Sequence, residues 1–111
     1  MRGEIWLVDL NPSRGSEQSG IRPAIVVQRE TLERFTVTTL IVPVTTNLRR
    51  LKVPGCILIP TGEGGLTQDS AALCYQLAVV DRSRLIRRLG QLPVSRLNEI
   101  DRALKYTLDL G

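Results

Sequence analysis

The chain has 111 residues, of which 42% are hydrophobic and 23% charged, so it is long enough for one domain with a real core and too short for two. Its apolar runs are far too short to cross a bilayer, and its first residues lack the pattern of a signal peptide, which predicts a cytoplasmic protein. The net charge of +4 gives a mild preference for polyanionic partners.

Short apolar segments separated by turn residues predict a mostly β domain. The predicted strands are Glu4–Leu10, Pro23–Gln28, Thr36–Thr45, Cys56–Pro60, Ser70–Val80 and Ile86–Leu92, the last of them broken by Gly90. The middle of the first strand is apolar on both faces, so we expect it to be covered on both sides or to lie in a subunit interface.

One helix is predicted at the end of the chain, with Ser95 as its N-cap. Its apolar residues recur at helical spacing and should form a packing face, namely Leu97, Ile100, Ala103, Leu104 and Leu108. The whole chain, 1–111, is therefore predicted to be a single mostly β domain with α, a small antiparallel β-barrel with a C-terminal helix.

The segment 14–28 joins a polar loop to a buried strand. Its first half is rich in glycine and serine, and a loop of this length without its own secondary structure is usually functional. Pro23 favours an extended backbone at Arg22 and fixes the direction in which the strand begins. The Arg22 guanidinium is therefore suited to hold a phosphate or carboxylate, although a structural salt bridge at the barrel rim is an equal alternative.

Metal chemistry has little support in this composition. The chain has no histidine, and its two cysteines, Cys56 and Cys74, lack CxxC spacing, so we interpret them as buried free thiols. A nuclease with two imidazoles is excluded, and no paired acidic cluster suggests a two-metal site. We expect no metal and no cofactor.

Thr45 and Thr46 end one predicted strand and are followed by the basic residues Arg49, Arg50 and Lys52, which could follow a phosphate backbone. Metal-free cleavage of RNA can use the 2′-hydroxyl of the substrate as the nucleophile. The protein then has to hold that geometry and stabilise charge on the phosphorane oxygens, which an arginine and a threonine hydroxyl can do.

Residues 10–24, with the sequence LNPSRGSEQSGIRPA, closely resemble the N-terminal signature of the MazF/PemK (Kid) toxins of bacterial toxin–antitoxin modules. The likeness continues through VPVTT at 42–46, QDS at 68–70 and Gln76. It implies an SH3-like, CcdB-like fold and a homodimeric, sequence-specific endoribonuclease that needs no metal. Such toxins cleave single-stranded RNA to a 2′,3′-cyclic phosphate and a 5′-hydroxyl, and a cognate antitoxin lays an acidic tail over the RNA groove.

The resemblance also implies roles for residues. The catalytic arginine of the family falls on Arg22 and its catalytic threonine on Thr45, although the adjacent Thr46 leaves open which hydroxyl acts. The residues that we assign to RNA contacts are Asn11, Ser16, Glu17, Gln18, Thr46, Arg49, Val53 and Gln76.

Two functions from other classes remain open at this point. One is a non-catalytic RNA-binding barrel in which Arg22 and Arg49 only hold phosphates. The other is a gyrase poison related to CcdB, but that family uses an aromatic end to its C-terminal helix, and this chain ends Leu-Asp-Leu-Gly.

Overall fold

The computed structural model describes residues 1–12, 15 and 17–111. Its main elements, in chain order, are β1 (Glu4–Asp9), β2 (Ile21–Val26), β3 (Thr38–Thr45), β4 (Ile57–Ile59), β5 (Ser70–Ala72), β6 (Ala78–Asp81), β7 (Leu85–Gln91) and α1 (Val94–Thr107). Short 3-10 turns lie between them at Glu30–Leu32, Leu48–Lys52, Glu63–Gly65, Cys74–Gln76 and Arg82–Arg84. In the described part of the chain, no helix combines the length and apolar character needed to cross a membrane.

All strand pairs are antiparallel, and the sheet has the order β4-β5-β3-β2-β1-β7, with β6 also paired to β3. The predicted class, mostly β with a C-terminal helix, is confirmed. The predicted closure is not, because the strand pairs of the described residues leave the sheet open. β1 lies between β2 and β7, so both of its edges are paired.

Buried residues form two clusters on opposite faces of the sheet, because successive side chains of a strand alternate between faces. The larger cluster packs against α1 and contains Ile5, Ile25, Val27, Val42, Val44, Ile59, Leu66, Ala72, Cys74, Leu92, Ile100 and Ala103. The smaller cluster, called here the second face, contains Val8, Ala24, Val26 and Ile41, with Met1, Trp6, Leu10, Ala78, Val80 and Leu85 partly buried around it. β1 contributes Ile5 to one and Val8 to the other, so it is covered on both sides.

The helix begins two residues earlier than predicted, and Ser95 does not cap it. Pro93 occupies the N-cap position without a side-chain hydrogen bond, and its carbonyl accepts from the backbone N–H groups of Arg96 and Leu97. Ile100 and Ala103 are buried as the helical spacing predicts, whereas Leu108 is 51% exposed because it follows the last helical residue.

The predicted strand Ser70–Val80 is wrong in its middle, where residues 74–76 form a 3-10 turn between β5 and β6. The predicted break at Gly90 is also wrong, because β7 continues through it. A Cβ on Gly90 would lie 2.5 Å from the carbonyl carbon of Gly64, so this glycine permits a close backbone approach.

The two cysteines are free thiols, as predicted. Cys74 is buried, but Cys56 is only half-buried, and neither lies in a strand. Burial raises the pKa of the Cys74 thiol to about 12, so this sulfur stays protonated and packs as a small apolar group.

Candidate functional site

A groove of about 580 Å³ opens beside the second face, between the end of β1, the loop before β2, and the turn that joins β5 to β6. Its lining residues are Asp9, Leu10, Asn11, Pro12, Glu17, Gln18, Ile41, Pro43, Tyr75, Gln76, Leu77, Ala78, Val79, Val80, Asp81 and Arg84. Its lining combines apolar residues such as Leu10 and Ile41 with polar ones such as Gln18 and Gln76, the usual composition of a site that binds and orients a ligand.

Hydrogen bonds hold the described residues Asn11, Gln18 and Gly20 beside this groove. The side-chain oxygen of Asn11 accepts from the backbone N–H of Gly20 at 3.0 Å and thereby closes the base of the loop. Farther along, the Oε1 atom of Gln76 accepts from the backbone N–H of Gln18 at 3.1 Å. Four of the predicted RNA contacts, Asn11, Glu17, Gln18 and Gln76, are thus brought together, while Ser16 lies outside the described residues.

Arg22 lies near the start of β2 and is exposed. Its Nε atom donates to the carbonyl of Ser19 at 3.0 Å, which orients the guanidinium along the loop. Among the described residues no carboxylate pairs with Arg22, so the rim salt bridge considered above does not form there. Both terminal nitrogens of the guanidinium therefore remain available as a two-pronged donor for a phosphate.

The pairing of β2 with β3 relates Arg22 to Thr45. The paired residues run from Val26 and Ile41 to Ala24 and Pro43, and Arg22 and Thr45 each lie two residues beyond this last pair. Residues at alternate positions share a face of a strand, so both fall on the side of the sheet that carries Ala24 and the groove-lining Pro43. Neither residue lines the groove itself.

Thr45 and Thr46 differ in burial and in contacts. Thr45 is 7% exposed, and its hydroxyl accepts a hydrogen bond from the backbone N–H of Asn47 at 3.2 Å. Thr46 is exposed beyond the end of β3. The hydroxyl of Thr45 is thus held in a fixed position, as a group that acts on a transition state must be.

The 3-10 turn Leu48–Lys52 carries the remaining predicted RNA contacts away from the groove. Asn47 caps this turn by accepting from the backbone N–H of Arg49, whose side chain is exposed, and Val53 follows the turn half-buried. Neither Arg49 nor Val53 lines the groove. The neighbouring Arg50 does not line it either, but its Nη1 atom donates to the hydroxyl of Tyr75, which does, at 2.5 Å.

Tyr75 is a site residue that the sequence did not reveal. A single aromatic within the apolar run 71–80 is typical of a core residue, yet the 3-10 turn at 74–76 sets it in the groove wall, half-buried, beside Gln76. Arg50 was expected, together with Arg49 and Lys52, to follow a phosphate backbone. The contact between Arg50 and Tyr75 forms because the fold brings together residues that are far apart in the chain.

Acidic and basic groups share the far end of the groove. The pKa of Asp81 is held below its usual value because the backbone N–H of Ser83 donates to its carboxylate at 2.9 Å. Arg84 donates to the backbone carbonyl of Asp9 at 3.4 Å. Within residues 1–12, 15 and 17–111, no three acidic or cysteine side chains cluster in a way that could hold a metal ion.

Comparison with known proteins gives this geometry a context. The family model of the PemK-like, MazF-like toxin of type II toxin–antitoxin systems matches residues 1–108. The chain belongs to this toxin family. A curated relative, the endoribonuclease MazF of Staphylococcus epidermidis, is 34% identical over 110 residues, which are 99% of this chain and 92% of the relative.

Solved structures of the family share the fold. The crystal structure of MazF from Deinococcus radiodurans is 25% identical and superimposes with a TM-score of 0.84 over 98% of this chain and 96% of that one. A mycobacterial endoribonuclease in complex with its cognate antitoxin, 22% identical, superimposes with a TM-score of 0.83 over 100% of this chain and 96% of that one. The membership predicted from residues 10–24 and 42–46 is confirmed.

Proposed function

We propose that this chain, an endoribonuclease toxin of a type II toxin–antitoxin module by its family and its 34% identity to an endoribonuclease MazF, cleaves single-stranded RNA at a specific sequence without a metal ion. The geometric observation that carries the proposal is that Arg22 and Thr45 share one face of the paired strands β2 and β3, each two residues beyond the last paired residues, Ala24 and Pro43.

The proposed reaction uses the RNA's own 2′-hydroxyl. Its oxygen loses its proton to a water molecule and attacks the adjacent phosphorus, the bond to the 5′-oxygen breaks, and that oxygen takes up a proton from water. The products are a 2′,3′-cyclic phosphate and a 5′-hydroxyl. Arg22 donates two hydrogen bonds to the phosphorane oxygens, and the Thr45 hydroxyl donates a third. Guanidinium is permanently protonated, so Arg22 stabilises charge and does not carry the proton.

RNA lies in the groove in this proposal. Gln18, Glu17 and Gln76 contact unstacked bases there, and Asn11 contributes mainly by closing the loop that carries them. Arg49 and Thr46, both exposed, contact the backbone on either side of the cut. Ser16, which lies outside the described residues, and Val53 are further RNA contacts in this proposal, on the family resemblance alone.

The partners of the chain follow from its family. We propose that a cognate antitoxin neutralises it, as two kinds of neighbours suggest: a mycobacterial endoribonuclease solved with its cognate antitoxin, and MazF of Deinococcus radiodurans solved with MazE. An acidic antitoxin segment would suit a chain with a net charge of +4. We further propose that the toxin works in the cytoplasm as a homodimer.

The test is incubation of the purified chain with a long RNA in excess EDTA, followed by mapping of the new 5′ ends. We expect cuts at one short motif, with 5′-hydroxyl and cyclic-phosphate ends, and an undiminished rate in EDTA. Binding without cleavage would identify a non-catalytic RNA-binding protein. Activity lost in EDTA and restored by magnesium would contradict the metal-free reaction.

A further inference from the structure

The hydroxyl of Tyr75 is surrounded by hydrogen-bond donors. The Nη1 atom of Arg50 lies 2.5 Å from the phenol oxygen, and the Nε2 atom of Gln76 lies 3.4 Å from it. A guanidinium can only donate, so the phenol oxygen must accept from Arg50.

The orientation of the Gln76 amide is fixed by its other end. The backbone N–H of Gln18 can only donate, so the atom facing it at 3.1 Å is the carbonyl Oε1. The amide nitrogen therefore faces Tyr75 and donates to it as well. Within the described residues, the phenol oxygen accepts two hydrogen bonds, and no acceptor there receives its own hydrogen.

This hydrogen lies at the wall of the groove, which Tyr75 lines together with Gln18 and Gln76. Donation from a cation to the oxygen draws electron density from the O–H bond, which makes the hydroxyl a stronger donor. Because a half-buried donor is costly to leave without an acceptor, the groove is prepared for a ligand that presents one.

We infer that Tyr75 is an RNA-contacting residue whose hydroxyl donates a hydrogen bond to an acceptor atom of the RNA in the groove, and that Arg50 holds the phenol in place for this contact. The inference rests on the proposed function, since it takes RNA as the occupant. Arg50 thus acts through Tyr75 as a positioning residue, although it belongs to the same basic turn as the exposed Arg49.

The test measures affinity without chemistry. The probe is a short RNA that contains the mapped cleavage motif, with a 2′-deoxy nucleotide at the cut so that no attack can occur. Tyr75→Phe removes only the hydroxyl, and we expect its Kd to rise about tenfold, the loss of one hydrogen bond, with an unchanged melting temperature. The single-turnover cleavage rate of Tyr75→Phe on the all-ribose RNA should fall by the same tenfold at low RNA concentration. At saturating RNA concentration the rate should equal that of the wild-type chain.

Tyr106→Phe is the matched control, because Tyr106 is 64% exposed on α1 and lies outside the groove. It should leave the Kd unchanged. If Arg50 acts through Tyr75, Arg50→Ala should raise the Kd by a similar factor. The double variant should then have a Kd no higher than that of the single variant that binds RNA more weakly.

Three results would count against the inference in different ways. Equal RNA affinity of Tyr75→Phe and the wild-type chain would overturn the contact. Fully additive losses in the double variant would overturn the positioning role of Arg50. A wild-type chain that does not bind the RNA at all would instead contradict the proposed function.

Discussion

Arg22 is the residue on which the proposed chemistry most depends. Its guanidinium is exposed at the start of β2 and, among the described residues, has one hydrogen bond, from Nε to the Ser19 carbonyl. If the two terminal nitrogens stabilise charge that develops only in the transition state, Arg22→Ala should lower the single-turnover rate by about 100- to 1,000-fold, while RNA affinity falls modestly. Arg22→Lys should also be inactive, because an ammonium cannot form a two-pronged grip on phosphate.

Melting temperature on the same Arg22→Ala sample is the control. An exposed arginine without a carboxylate partner should contribute little to stability, so the melting temperature should change by less than a few degrees. Full activity of Arg22→Ala would refute the catalytic assignment.

Thr45→Val extends the test, because it keeps the shape of a buried β-branched side chain and removes the hydroxyl. We expect its single-turnover rate to fall by a smaller factor than that of Arg22→Ala.

At the scale of elements, the sequence predicted the strands and the helix well, because alternation and helical spacing are local signals. It failed where two short elements share an apolar run, as in 70–80: the 3-10 turn at Cys74–Gln76 has the same residue types as a strand. That turn carries Tyr75 and Gln76, so the wrongly predicted segment contains two residues that line the groove. Arg22 and Thr45 were identified through the family motif; their juxtaposition depends on the β2–β3 register, which no local pattern encodes.

The glycine turn Glu63–Gly65 is attached to the helix by an ion pair. Arg96 donates from Nε and Nη2 to both carboxylate oxygens of Glu63, at 2.8 and 3.0 Å, with about a quarter of each side chain exposed. These hydrogen bonds hold the pKa of Glu63 below its usual value. Because the pair is partly solvated, Glu63→Gln should lower the free energy of unfolding at pH 7 by about 1 kcal/mol.

The pH dependence of this effect has a definite sign. A carboxyl whose pKa is lowered by folding stabilises the folded state above its unfolded pKa, near 4.3, and loses that contribution as the pH falls through the folded pKa. The difference between Glu63→Gln and the wild-type chain should therefore be constant from pH 6 to 8 and shrink below about pH 4. Denaturant melts across this range check it. Glu99→Gln removes the more exposed second partner of Arg96 and should lower the free energy of unfolding by less than Glu63→Gln does. A larger loss for Glu99→Gln would contradict the assignment of Glu63 as the main partner of Arg96.

The whole molecule has one face covered by its helix and another without such a cover. α1 packs on the larger cluster, whereas the second face is surrounded by partly buried apolar side chains and opens into the groove. Leu85 lies at the edge of the second face, outside the groove, and is half-buried. An apolar edge of this kind on a small subunit is typical of an interface, and a two-fold dimer would cover it with the same edge of a second copy while the groove stays open beside it.

We therefore expect a symmetric dimer in solution, with a mass twice the 12.3 kDa of the chain, by sedimentation equilibrium at micromolar concentration. Leu85→Glu should weaken this dimer at least tenfold, because a carboxylate at the contact would lose its water without gaining a partner. Val94→Glu is the matched control: Val94 is 74% exposed at the start of α1, away from the groove, so its dimer should keep the wild-type affinity. A wild-type chain that sediments as a monomer, or equal weakening by both variants, would refute this interface.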